Sequence, residues 1–388
     1  MLLAVAAILA AAGSVPSAID RSTLISRGIA PERAVVAFAT SSERVRQFAL
    51  RSVGAARTQQ ARAHRLYAAV LELKHHGRIR GDAVNAPKSR LPRTGVEVLL
   101  QALGDGEPMP AGCYELTSAY IAAARSIGID AYGLDAIDPS GHGQIGHVVA
   151  AVADIEGVRP WVFDLQNESS GRRTGFRRLS DLELAAHHYN HWSVAAQLRG
   201  ESARALRAID DALLLAPWHP GFLNNRSVVL TSLGELDSAY AEISHAIHRQ
   251  PNSALYRYQW GLLELERASP LAAVRALKSA LAIRPDYPRA RVELGWALLL
   301  SGDDSQGSDE LRRSVAMPDS APRARLLLAI RAMSRNRHEV VRSVLDEPLP
   351  PEARAELRRW LNGEGPRGEV GRLLSMLPTT RGEENASR

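Results

Sequence analysis

The sequence predicts a two-part chain: an α+β domain of helices with an antiparallel sheet, followed by an all-α solenoid of repeated helix pairs. Three observations predict it. Prolines recur at a fixed interval through the second half. After Gly128 the apolar residues change from helical spacing to short runs bounded by Gly, Pro and Asp. The only cysteine, Cys113, opens a helix just ahead of that change.

A chain of 388 residues, 45% hydrophobic and 23% charged, has the size of two or three soluble domains. The net charge of +6 is carried by arginine, since lysine occurs only at 74, 88 and 278. These arginines are dispersed, whereas a nucleic-acid surface needs a concentrated basic stripe, so no nucleic-acid partner is expected. Residues 1–18 hold an apolar run over 2–12 and then small residues, the length and flank of a signal peptide and too short to span a membrane. No Lys or Arg precedes the run. The expectation is export to the periplasm; an uncleaved anchor, the only membrane contact foreseen, or a cytoplasmic chain is the alternative.

Residues 19–90 form an N-terminal helical segment. Its clearest part is 41–76, with Ser42 as N-cap and Glu43 behind it. Pro, Gly and Asn in or beside 82–92 predict a loop. "TGVEVLLQAL" is helical and leads through the turn-rich "GDGEPMPAGC" to Cys113. The next helix places Leu116, Tyr120, Ala123 and Ile127 on one face, and Gly128 stops it. "IDAYGLDAI", "HVVAAVAD" and "RPWVFDLQ" follow as strands. A four-residue loop at 154–157 makes the last two a hairpin in which Val149 faces Val162 and His147 faces Asp164. Side chains so paired have Cβ atoms ~5 Å apart, and a one-residue slip would send them to opposite faces.

A lone thiol is either a small buried hydrophobe or a nucleophile. The nucleophile reading needs a thiolate, which a helix N-terminus and a nearby imidazolium both favour. It also needs a proton carrier and a carboxylate to orient that carrier. Cys113, His147 and Asp164 supply these in chain order, and the first N–H groups of the Cys113 helix point where an oxyanion would form. The stretches "AGCYELTSAYIAAARSIGIDAYGL", "GHVVAAV" and "PWVFDL", within residues 95–170, resemble the core of the transglutaminase-like superfamily, a papain-like thiol fold. The resemblance implies Cys113 as nucleophile, His147 as base and Asp164 as orienting acid, in a core spanning 91–185. The aromatic residue common after the family histidine is replaced by Val148 and Val149. Gln101 and Gly112 are the candidate oxyanion or substrate contacts.

In the second half Pro217, Pro251 and Pro285 lie 34 residues apart, each after a similar helix end: "DALLLAP", "HAIHRQP", "SALAIRP". Alanines stand at fixed distances before each: Ala205 and Ala212, Ala239 and Ala246, Ala273 and Ala280. This pattern resembles the tetratricopeptide repeat, in which small residues let paired helices approach and stacking buries a shared core. Repeats are expected over 186–320, a degenerate repeat with capping helices over 321–378, and a polar tail at 379–388. Arg226, Arg257 and Arg291 recur at near-repeat spacing and are the candidate row for a protein partner, with a solvated face as the alternative. His187 and His191, at i and i+4, have no third ligand nearby and read as packing, so no metal site and no cofactor is called for. The whole predicts an exported cysteine enzyme acting on an amide or peptide carbonyl of a peptide or protein, with acyl transfer to water. The alternative is an inactive transglutaminase-like domain carrying a protein-interaction scaffold.

Overall fold

The computed structural model describes residues 19–38, 42–80, 93–104, 107–135, 147–153, 159–172, 176–318, 320–365 and 368–377. The predicted export segment, the loop at 82–92, the turn at 154–157 and the tail at 379–388 lie outside the described residues. The chain divides into two units, residues 1–233 and 234–388.

The first unit begins with α1 (Arg21–Ser26), α2 (Glu43–Val53) and α3 (Gln59–His75). Ser42 caps α2 by accepting from the Val45 N–H, and Gly54, at φ +51°, ends it. Next come β1 (Ile79–Arg80), α4 (Gly95–Ala102), β2 (Met109–Pro110) and α5 (Cys113–Ser126). Helix α5 is central: residues 114–125 are all buried, a wider burial than the single apolar face read from the sequence. It ends because Gly128 adopts φ +76°, a left-handed turn that glycine enters without a Cβ clash. The Ile129 N–H then donates to the Ala124 carbonyl at 3.0 Å.

Strands β3 (Ala131–Asp135), β4 (Val148–Val152) and β5 (Trp161–Asp164) follow, with β6 (Ser169–Arg172) and β7 (Arg177–Arg178) at the edges. All neighbours are antiparallel, in the order β6-β5-β4-β3-β7. The predicted hairpin register is corrected. Ala150 pairs with Phe163 and Val152 with Trp161, which sets Val149, not His147, against Asp164. The slip is two residues, because the connection over 153–160 extends the expected 154–157 by one residue on the β4 side and three on the β5 side. A two-residue slip preserves the face, since side chains alternate with period 2. Phe163 packs edge-on to His64 and tilted against Tyr120, seating β5 between α3 and α5.

Helices α6 (Asp181–Leu198), α7 (Ser202–Leu215) and α8 (Pro220–Ser232) complete this unit. Arg125 ties α6 to the sheet: it donates to both Asp181 oxygens at 2.8 Å and to the Ala131 carbonyl at 2.8 Å.

The second unit is helical throughout its described residues. It contains α9 (Leu236–Arg249), α10 (Ala254–Glu266), α11 (Pro270–Ile283), α12 (Pro288–Leu300) and α13 (Asp304–Val315). After these come α14 (Ala321–Met333), α15 (His338–Leu345), α16 (Pro351–Leu361) and α17 (Gly368–Met376). The starts of α8, α10 and α12 at 220, 254 and 288 reproduce the 34-residue period. The six alanines that mark the repeat are fully buried. Close approach is equally clear at Gly261, where a Cβ would sit 2.6 Å from Leu277 Cγ.

Candidate active site

Cys113 is the first residue of α5 and is half-buried. Gly112 precedes it as N-cap, and its N–H donates to Glu115 Oε2 at 2.8 Å. The other oxygen of Glu115 accepts from the Arg93 N–H at 2.9 Å. One carboxylate thus fixes the start of α5 and the approach to α4. The Gly112 N–H is therefore spent, while the N–H groups of Cys113 and Tyr114 belong to the first turn, where a helix provides no acceptor. Gln101 lies on α4 with its amide engaged at both ends: Oε1 accepts from Arg93 at 2.8 Å and Nε2 donates to the Glu107 carbonyl at 2.9 Å.

His147 immediately precedes β4 and is buried. Its Nε2 lies 2.8 Å from Asp164 Oδ2. Cys113 neighbours the same ring and, with Asp164, favours its protonated form. Thr117, one turn into α5, donates to the Val148 carbonyl at 2.9 Å and locks this helix to the strand that carries His147. The structure therefore brings Cys113, His147 and Asp164 together.

Asp164 ends β5 in a tight turn. Its Oδ1 accepts from the Gln166 and Asn167 N–H groups at 3.2 and 3.0 Å, and its Oδ2 from Asn167 Nδ2 at 2.9 Å. Lys74 of α3 donates to the Leu165 and Gln166 carbonyls at 3.2 and 3.1 Å and anchors the turn from outside. Asn167, Glu115 and Lys74 escaped the sequence reading. The first two carried a readable signal, each standing three residues after the group it holds, as in an Asx turn or a capping box.

Burial opposes charging His147, but hydrogen bonds to Asp164 and Cys113 outweigh it, and the imidazolium is held up to about 10. Burial likewise pushes Asp164 up, and is overcome by His147 and the Asn167 donors, so its carboxyl is pulled down to about 2. Unfolded values are about 6.5 and 3.9. The stabilisation from His147 is complete below about pH 6.5 and is lost as pH rises towards 10. That from Asp164 is present above about pH 4 and is lost as pH falls towards 2. The difference in Tm between wild type and His147→Gln should therefore be greatest between about pH 4 and 6.5 and shrink towards pH 10. A difference constant from pH 5 to 10 would contradict the charged dyad.

The predicted arginine row is engaged within the chain. Arg226 Nε donates to Asp210 at 2.8 Å, and Arg291 donates to Glu310 at 2.9 Å. Arg257 lies over the Trp260 ring at 5.9 Å. Arg226 belongs to the first unit and the other two to the second. Among the described residues, no helix is long and apolar enough to cross a membrane.

The tetratricopeptide repeat family matches residues 265–331. No curated protein matches the chain. Among solved structures it is similar to TTC0263, a thermophilic TPR protein of Thermus thermophilus, at 18% identity over 46% of this chain and 97% of that one, TM-score 0.40. PilF of Pseudomonas aeruginosa shows 18% identity over 47% and 86%, TM-score 0.41. YrrB, described as a TPR protein with an unusual peptide-binding site, shows 16% over 45% and 86%, TM-score 0.34. The family match, together with the paired helices themselves, establishes tetratricopeptide repeats in the second unit.

Proposed function

We propose that the first unit is a transglutaminase-like cysteine acyl-transfer domain, and that the repeats bring it to a protein or peptide substrate. The observation that carries this reading is the chain of contacts from Cys113, at a helix start, through His147 to Asp164, 2.8 Å away. In this reading the resting site is a thiolate–imidazolium pair. Cys113 Sγ attacks the carbonyl carbon of an amide, and the Cys113 and Tyr114 N–H groups stabilise the oxyanion. His147 gives its proton to the departing amine as the C–N bond breaks, leaving a thioester on Cys113. Water then attacks the thioester while His147 takes its proton, releasing the acid and restoring the thiolate. Asp164 keeps the ring oriented and its charge balanced throughout.

The test is acyl-enzyme trapping. Incubation with an activated peptide ester should add the acyl mass to Cys113 alone, and hydroxylamine should remove it, as expected of a thioester. A folded protein that gains no acyl group, or gains it elsewhere, would refute the reading. The second reading, a repeat scaffold without turnover, is favoured by the family match at 265–331, which concerns the repeats alone.

A further inference from the structure

We propose that Asp135, His187 and His219 form a binding site for a divalent transition ion of the Zn²⁺ type. The three come from separate elements: the end of β3, the second turn of α6 and the residue preceding α8. All three are buried, at 3%, 1% and 4% exposure, and one ligand atom from each lies within 4.8 Å of the other two. His219 Nε2 is 3.0 Å from Asp135 Oδ2. Two imidazoles and a carboxylate are a donor set that suits Zn²⁺ with a fourth position left to water or a small anion. Bonds of 2.0–2.1 Å around a tetrahedral ion place ligand atoms ~3.3 Å apart, so closure asks for side-chain movements of about 1 Å.

The second observation is His187 itself. Among the described residues, neither of its ring nitrogens has a hydrogen-bond partner, and His219 Nδ1 has none. Packing accounts for the ring planes: His219 stacks on Phe222 at 3.9 Å and His187 meets Phe222 edge-on at 5.0 Å. It does not account for the nitrogens, because a phenyl ring would fill the same space with no polar atom to strand. A proton on the His219–Asp135 contact satisfies that pair and still leaves His187 without a partner. An ion shared by all three removes the deficit at one nitrogen of His187.

The surrounding charge admits a cation. Arg177 Nη2 stands 3.7 Å from Asp135 Oδ2, but its guanidinium is paired with Glu183 at 2.7 Å and lies 4.2 Å from the Trp218 ring centre. Asp135, Glu183 and Arg177 together leave one negative charge facing the ion. The bound metal would clamp the sheet to α6 and to the start of α8, fastening the thiol domain to its first helices. It is independent of the acyl-transfer reading.

The test uses the full chain with Cys113 carbamidomethylated, so that the thiol site cannot hold metal, and stripped with a chelator. Co²⁺ should bind at one per chain with the strong visible bands of a four- or five-coordinate ion and no sulfur charge-transfer band. Zn²⁺ should displace it and raise Tm. His219→Gln and Asp135→Asn should each weaken Co²⁺ binding by at least about 100-fold. No binding, a weak six-coordinate spectrum, or binding unchanged in either variant would overturn the proposal. Should both variants fail to fold, zinc X-ray absorption of the wild-type protein decides. Two imidazoles with oxygen in the first shell support the site, and fewer than two imidazoles overturn it.

Discussion

At pH 6, iodoacetamide should alkylate Cys113 in wild-type protein roughly tenfold faster than in His147→Ala. An ordinary thiol, with a pKa of about 8.5, is less than about 1% thiolate at pH 6. The His147 imidazolium, held charged up to about 10, favours the thiolate form of a neighbouring thiol. Full ionisation at pH 6 would gain of order 10² in thiolate fraction, from which the weaker nucleophilicity of a stabilised thiolate takes back about a factor of ten. Asp164→Asn should fall between the two, since it leaves the ring in place but removes the charge 2.8 Å from Nε2. The chain has one cysteine, so whole-protein mass assigns the label without digestion. Equal rates in wild type and His147→Ala at pH 6 would remove His147 from any role in activating the thiol.

Gly95→Ala should destabilise the first unit by about 3 kcal/mol or more, measured by urea unfolding. A Cβ built on Gly95 falls 2.2 Å from both the Ala119 nitrogen and the Ser118 carbonyl carbon, and 2.5 Å from the Ser118 oxygen. Those are backbone atoms of α5, so no rotamer change relieves the clash and α4 must separate from α5. The comparison is Gly128→Ala. Gly128 has φ +76° but nothing within 4 Å of its Cβ position, so that change costs only the left-handed backbone, about 1 kcal/mol. Equal losses from the two variants would mean that α4 tolerates displacement, and that the close approach does not hold the Cys113 helix in place.

The sequence was legible where structure is written in short-range patterns. The 34-residue period shows because Pro217, Pro251 and Pro285 end helices, and because Ala205, Ala239 and Ala273 have to be small where helices touch. The three central strands show because apolar runs change period after Gly128. Edge strands β6 and β7 were missed: "SSGR" and "RR" have no apolar alternation to announce them. The hairpin register differs from the expected one because the connection extends three residues on the β5 side and one on the β4 side, and that asymmetry moves the pairing by two. The dyad survived that error because a shift of two keeps the face. Long-range pairings were invisible. Arg226 finds Asp210 and Arg291 finds Glu310 across helix pairs, and His187 meets Asp135 and His219 from 52 and 32 positions away. Only the fold brings such residues together.

Helix α5, buried over residues 114–125, has a kinetic consequence. From Leu116 onward its amides are hydrogen-bonded and shielded, so they should exchange with deuterium only when the first unit opens as a whole. The thiol thus rides on the slowest-opening segment of its unit, held at its near end by Glu115. Fraying of edge strands β6 and β7 leaves it undisturbed. The working lifetime of the site at elevated temperature is then set by the global unfolding rate of the first unit, and reactivity of Cys113 should persist until that unit melts.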